Sequence, residues 1–598
     1  FLMAKKRPPI KYTDRDFESI KNSLVEHARR YYPDTFKDFS EASFGSLMID
    51  TVAYVGDVLS FYLDYQANES FLTTAIEFDN VVKLAKQMGY KYHESHSSVG
   101  TVTFYILVPA RATGLGPDPD YIPILKRGTE ISTNGTATFY LTEDVDFSKE
   151  QNEVVVGTVN ATTGEATHYA IKAHGQVISG IIAQELIEIG SFEKLRRIEL
   201  DSSDVVEILT ITDAEGHEYF EVDYLSQDVI FKEIPNKSSD TDEPVALLKP
   251  YAVPRRFVAE FEENRCFLQF GYGSEESLET DKVVKASEVI LDITGKNYTA
   301  TDSFDPSNIN STDKLGVGPA NTTLIVTYRK NTSTNVNAFT DQLVNISNPL
   351  FDFTKENLLT SKTADVIGSL ECTNEEPILG QVSSMTADEI KRHAIDAYAS
   401  QNRAVTSHDY KSVVYRMPTK FGKVKRCEIL QDLDSLKRNL NLYVLGEDAA
   451  GKLSETNRTV KENLKQWLAS YKMLNDTVDI LDAQIFNFGI EFSILSTEET
   501  NKFEILEKAK SALAKYFEKP LEIGESIQIT DLYNVLKNVE GVADATKLKI
   551  VNRAISGYSS YSINIDKQMS SDGRHLFIPE TAVAELKYPN ADIMGTVK

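Results

Sequence analysis

The stretch whose spacing best suggests chemistry runs Gly446-Glu-Asp-Ala-Ala-Gly451-Lys452-Leu453, after a predicted strand and before a predicted helix. A phosphate loop sits in that position, with backbone amides facing the phosphates and a Ser or Thr hydroxyl for magnesium. Here Leu453 stands where the hydroxyl belongs, and Glu447 and Asp448 would oppose the phosphates with two negative charges. A plain strand-to-helix turn is the expectation. The pairs Gly271/Gly273 and Gly316/Gly318 lack a third glycine and a following helix, so they read as turns. His93 and His96 stand three apart in a polar loop, without the HExxH spacing of a zinc helix. His27, His393 and His408 fall on predicted helices as packing or capping residues. With 89 carboxylates, chance acidic pairs abound and single out no glycosidase pair. Asp50, Asp57 and Asp64 form a seven-spaced stripe that could hold cations or simply be the wet side of a helix. No catalytic, cofactor-binding or metal-binding set emerges, and the chain reads as a non-enzyme without cofactors.

What must position these residues follows from composition and pattern. The chain has 598 residues and a formal charge of −26, with 41% apolar and 25% charged residues. That is enough chain for about four domains, and its composition is that of folded protein, not of an acidic disordered tail. The net charge excludes a general nucleic-acid binder, because polyanions would be repelled. Cys266, Cys372 and Cys427 lie far apart and match a reducing compartment. The first nine residues are basic with no apolar stretch behind them, so no secretory signal is expected. The window Leu47–Tyr65 is long enough for a membrane helix, but its three Asp would each cost ~3 kcal/mol at a bilayer centre.

The charge is uneven. Residues 101–350 hold 20 basic and 39 acidic side chains, a net −19. Asp38 to Asp79 contains eight acids and no Lys or Arg, whereas Lys411 to Arg426 contains six bases and no acids. Each block reads either as a solvated face or as complementarity between chains of one assembly.

The predicted class is α+β and multidomain, in five segments. Residues 1–95 form a helical assembly segment, with Thr13 and Asp16 as an N-cap pattern before Phe17. On its second helix Met48, Val52, Val55, Leu59 and Tyr62 recur at spacings of three and four, with little local chain to cover them. Residues 96–330 form a β-rich middle region, possibly two domains, and 331–385 a linker and connecting segment. Residues 386–482 and 483–598 form two small α/β sandwiches, with capping boxes at Thr386/Glu389 and Thr406/Asp409. Val460, Leu464, Trp467, Tyr471 and Leu474 are expected on one helix face, and Val542–Val551 as the last strand.

Several motifs, in order, resemble the baseplate J-like family of contractile phage tails and related injection machines. They are Tyr12-Thr-Asp-Arg-Asp-Phe17, Asp50-Thr-Val-Ala-Tyr-Val-Gly-Asp57, Tyr62-Leu-Asp-Tyr-Gln-Ala-Asn-Glu69 and Leu84–Tyr90. Phe270-Gly-Tyr-Gly273 is similar to the family's Phe-Gly-Asp-Gly turn, with Tyr272 in place of the acid. Asn402-Arg-Ala-Val-Thr-Ser-His-Asp-Tyr410 is the strongest match, followed by Gly524-Glu-Ser-Ile and Val539-Glu-Gly-Val542. The length resembles the large wedge subunits of T-even-type tails.

The resemblance implies a structural subunit of the virion tail baseplate, assembled in the bacterial cytoplasm. It implies dimers within and between wedges, a ring around the hub that widens on firing, and N-terminal helices bundled with another wedge protein near the sheath initiator. Hub-proximal proteins are further partners; nucleic acid and direct membrane insertion are not implied. The interface or structural residues it marks are Tyr54, Gly56, Asp57, Asp64, Asn68, Gly271, Gly273, Arg403, Thr406, Asp409, Tyr410 and Gly524. Arg403 would tie the ends of two capped helices, and Gly56 would permit close helix approach; both also read as internal structure. A cell-wall hydrolase or carbohydrate-binding tail protein, built on the β-rich middle, is the competing reading.

Overall fold

The structure, a computed structural model, describes residues 15–33, 43–93, 95–111, 115–135, 137–162, 164–235, 246–262, 265–274, 315–333, 335–355, 358–432, 439–497, 501–519, 521–554 and 557–598. It is α+β, with N-terminal helices followed by a β-rich body. The chain divides into two compact units, residues 1–92 with 385–399, and residues 93–384 with 400–598.

In the first unit, helix α1 spans Phe17–Tyr31, α2 spans Phe44–Glu69, and α3 spans Phe78–Gln87. The cap of α1 is Asp16 itself, whose carboxylate accepts from the Ser19 amide at 3.3 Å; Thr13 lies outside the described residues. Gly89 ends α3 at φ 89°, the left-handed conformation expected of a glycine past a helix end. The Glu69 carboxylate turns the chain from α2 into α3, accepting from Asn80 at 2.9 Å and from the Ile76 amide at 2.7 Å. Those bonds, the Asn80 one foremost, hold Glu69 below the usual carboxylate range. Val81, Ala85 and Tyr90 pack with Ile390, Ala394 and Ala397 of a helix at Ala387–Ser400 (α5). That helix was expected to open the first C-terminal domain. Its apolar stripe instead completes the N-terminal core.

In the second unit, two seven-stranded sheets carry separate cores. One contains the strands Val99–Pro109 and Ala166–Ser179, paired antiparallel along their length, over Phe104, Phe139 and Phe147. The other runs from Ile181–Ile189 through Thr322–Lys330 and Val205–Asp213 to Arg265–Phe270 and Arg197–Ser203, over Phe257 and Phe270. The stretch 331–385, expected as a linker, is woven into the body. Its strand Leu343–Ser347 pairs with Glu130–Thr133, Glu371–Thr373 pairs with Val99–Pro109, and Thr360–Gly368 is a helix (α4). Pairing partners more than 200 residues away leave no local signal in such a stretch.

Two four-stranded sheets follow. The first holds Arg426–Gln431, Leu440–Glu447 and Val478–Asp482 under helices α6 (Ser407–Tyr415) and α7 (Arg458–Ala469). The second centres on Gln484–Ser496 under α8 (Lys502–Tyr516) and α9 (Ile529–Lys537). Phe486 and Phe488 are fully buried there, so truncating either to Ala costs about 3–5 kcal/mol. Val542–Asn552 is not the last strand: Ala582–Glu585 and Ile593–Val597 both add parallel to Gln484–Ser496. Buried amides join the body to the first of these sheets. Asn337 accepts from the Ser98 hydroxyl at 2.6 Å and donates to the Gln381 and Glu447 carbonyls, each at 2.8 Å. Such groups stabilise only because each is satisfied.

Candidate assembly surfaces

The acid stripe of α2 faces α1. Lys21 pairs with Asp50 at 2.8 Å and Arg15 with Asp64 at 2.6 Å, so the two helices run antiparallel. Asp57 lies between these pairs, partly buried. A Cβ on Gly56 would stand 3.2 Å from Ile20 Cδ1, so this glycine serves the α1–α2 approach within the chain. Asn68 is exposed, and its carbonyl accepts from the Thr74 hydroxyl at 2.7 Å.

The opposite face of α2 is bare. Met48, Val52, Val55, Leu59 and Tyr62 are each at least half exposed, with Leu63 beside them, while Tyr54 and Phe61, also exposed, flank the acid stripe. Their 4-3-4-3 spacing is a heptad seam, on a helix about 39 Å long. Only Ser46, Ala53 and Glu69 of α2 are buried. A contiguous apolar strip of this size marks a surface that another protein or a membrane covers. By length and composition α2 passes as a membrane span, although two of its three Asp are held by α1.

The segment 402–410 anchors a turn. Thr406 caps α6 in a capping box with Asp409. Burial works against the Asp409 charge, but the Thr406 amide and hydroxyl outweigh it and hold the carboxyl low. Asn402 sits at φ 60° and accepts from Arg416 Nη2 at 2.6 Å. Arg403, expected to tie two helix ends, is exposed, and its charge helps to hold the Asp409 carboxyl low. Arg416 makes the hydrogen-bonded tie to Asn402. The Ala404 amide donates to the Tyr471 carbonyl at 3.0 Å, and the Tyr410 hydroxyl to Asp476 Oδ2 at 2.6 Å. The turn thus held, Met473–Asp476, carries Leu474 at 102% exposure rather than on the face of α7, which ends at Ala469.

The glycine pairs meet each other. A Cβ on Gly271 would lie 2.1 Å from the Gly316 carbonyl oxygen, so two backbones cross where no side chain fits. Gly273 donates to Gly316 at 2.9 Å and accepts from Gly318 at 2.9 Å. Gly524 adopts φ 77° and donates to the Ala582 carbonyl at 2.8 Å, joining the start of α9's loop to the last sheet.

Gly446–Leu453 is a turn whose anion sites are already filled from within. Asp448 Oδ1 accepts from the Ala450 and Lys452 amides, both at 2.8 Å, and Glu585 accepts from the Leu453 amide at 2.9 Å. The basic block is likewise spent inside the chain. Lys411 pairs with Glu428, Lys420 with Glu207, Lys425 with Glu447, and Arg426 with Glu522. Lys423 is buried, and desolvation pushes its amine down to about 8. Among the described residues no His, Cys, Asp and Glu side chains gather as a metal site.

Residues 16–87, which contain α1 to α3, match the family model for the N-terminal domain of bacteriophage baseplate proteins. Among solved structures, the chain is similar to one in the cryo-EM structure of the anti-feeding prophage baseplate, at 11% identity and TM-score 0.24, over 90% of this chain and 94% of that one. It is also similar to a chain of the type VI secretion TssK-TssF-TssG baseplate subcomplex, at 8% identity and TM-score 0.23, over 73% and 96%. Comparison with curated proteins returns no match.

Proposed function

We propose that this chain is a structural wedge subunit of a contractile tail baseplate. The observation that carries the reading is the bare heptad seam of α2 within the very segment that matches the baseplate N-terminal domain. In this reading the seam is covered by helices of the other wedge proteins, which bundle near the sheath initiator. Two copies of the chain share a wedge, and six wedges join around the hub. The ring widens on firing, which makes the assembly a bistable set of interfaces rather than a catalyst. The internal use of the acid stripe and basic block supports apolar contact, more than charge matching, as the source of affinity at α2.

Co-expression with the neighbouring tail genes, followed by affinity purification and light scattering, tests this. A stable monomer that joins neither itself nor any tail protein would overturn it.

A further inference from the structure

Asn134-Gly135 is the one place in the chain where a glycine follows an asparagine. A backbone amide nitrogen can attack the side-chain carbonyl carbon of the residue before it. Glycine, with no Cβ, leaves that approach open. The pair sits exposed at the tip between the strands Glu130–Thr133 and Thr138–Leu141. Below it Ile131 faces Phe139 across the ladder, both fully buried, so the tip stands on a fixed base.

Two hydrogen bonds are set on the reacting groups. The Gly135 amide donates to Thr133 Oγ1 at 3.2 Å, which gives the attacking nitrogen an acceptor for its proton. Asn345 Nδ2 donates to Asn134 Oδ1 at 3.1 Å. That donor draws charge onto the oxygen and stabilises it as the carbon becomes tetrahedral. Asn345 belongs to the strand Leu343–Ser347 and lies opposite Ser132, so strand pairing holds it beside the turn.

We propose that Asn134 is a self-modifying site, converted by its own turn to an aspartyl or isoaspartyl link. The bond from Gly135 N to Asn134 Cγ forms, and the bond from Cγ to Nδ2 breaks. Nδ2 leaves as ammonia, with the proton that Gly135 gave up, and a five-membered succinimide ring remains. Water then adds to either ring carbonyl and opens the ring, with no oxidant or reductant needed. A neutral amide becomes a carboxylate within reach of the Asn345 donor. In the isoaspartyl product the backbone at the tip is also one methylene longer. The pairing of Ser132 with Thr138 lies below the change and survives it. This chemistry needs no partner chain and holds whatever the chain assembles with.

Peptide mapping by mass spectrometry, on full-length protein aged in buffer, tests it. The peptide containing Asn134 should exchange an amino group for a hydroxyl, and in heavy-oxygen water it should take up the label. Electron-transfer fragmentation then separates isoaspartate from aspartate. Gly135→Ala should slow the conversion about tenfold or more. Its methyl would meet only Thr133 Oγ1, at an ordinary 3.5 Å, so the turn keeps its shape. Asn345→Ala, at an exposed position, should slow it about threefold or more with an unchanged melting temperature. An Asn134 that stays an amide overturns the proposal. So does a rate left unchanged by either variant.

Discussion

The Tyr410 hydroxyl donates to Asp476 Oδ2 at 2.6 Å, joining α6 to a turn 66 residues downstream. Burial, reinforced by that carboxylate, raises the phenol far above its ordinary value, so it stays a donor across the accessible pH range. Tyr410→Phe removes the donor and leaves Asp476 short of a partner. The expected loss is about 1.5–3 kcal/mol. Hydrogen exchange should quicken at residues 471–477 before it changes in the last sheet.

Gly271 and Gly524 separate two reasons for a glycine. Gly271→Ala drives a methyl into the Gly316 carbonyl and should cost more than about 3 kcal/mol, with loss of soluble protein. Gly524→Ala brings a methyl to 3.2 Å from Glu580 Cα, a close contact that a small backbone shift relieves, and adds the strain of its φ of 77°. About 1–2 kcal/mol is expected there. Parallel urea melts of the two variants check the ordering.

On α2, Val55→Asp with Leu59→Asp places two charges on the bare seam. Both positions are half exposed or more, so stability should move by no more than about 0.5 kcal/mol. Co-purification with the other wedge proteins should be lost. Retained binding would move the partner surface off this seam.

Lys423 gives a pH signature. Its folded value of about 8 lies below 10.5, so the protein resists charging it. A depressed value means stability that is fully present above 10.5 and lost as pH falls through about 8. At neutral pH the deficit is about 3 kcal/mol. Lys423→Met should therefore stabilise the chain at pH 7, with the gain shrinking between pH 8 and 10.5. Denaturant unfolding at those three pH values measures it.

Much of this was legible in the sequence because it is local. The capping boxes at Thr386/Glu389 and Thr406/Asp409 form as their spacing demands, and the 3–4 repeat of Met48 to Tyr62 does describe one face of α2. What stayed hidden depends on distant partners. Lys411 to Arg426 looks like a basic surface until Glu207, Glu428, Glu447 and Glu522 arrive from other strands and loops. Gly271/Gly273 and Gly316/Gly318 each look like a turn, and only their crossing explains why both need glycine. Arg403, between the two caps, lends its charge to the Asp409 carboxylate, and Arg416 at the end of the same helix adds a hydrogen bond to Asn402 that the spacing did not show.

Because Gly273 and Gly316 hold each other at 2.9 Å, two stretches far apart in sequence are pinned side by side by backbone alone. A pin built without side chains gives substitution nothing to adjust: it is kept whole or lost, never tuned.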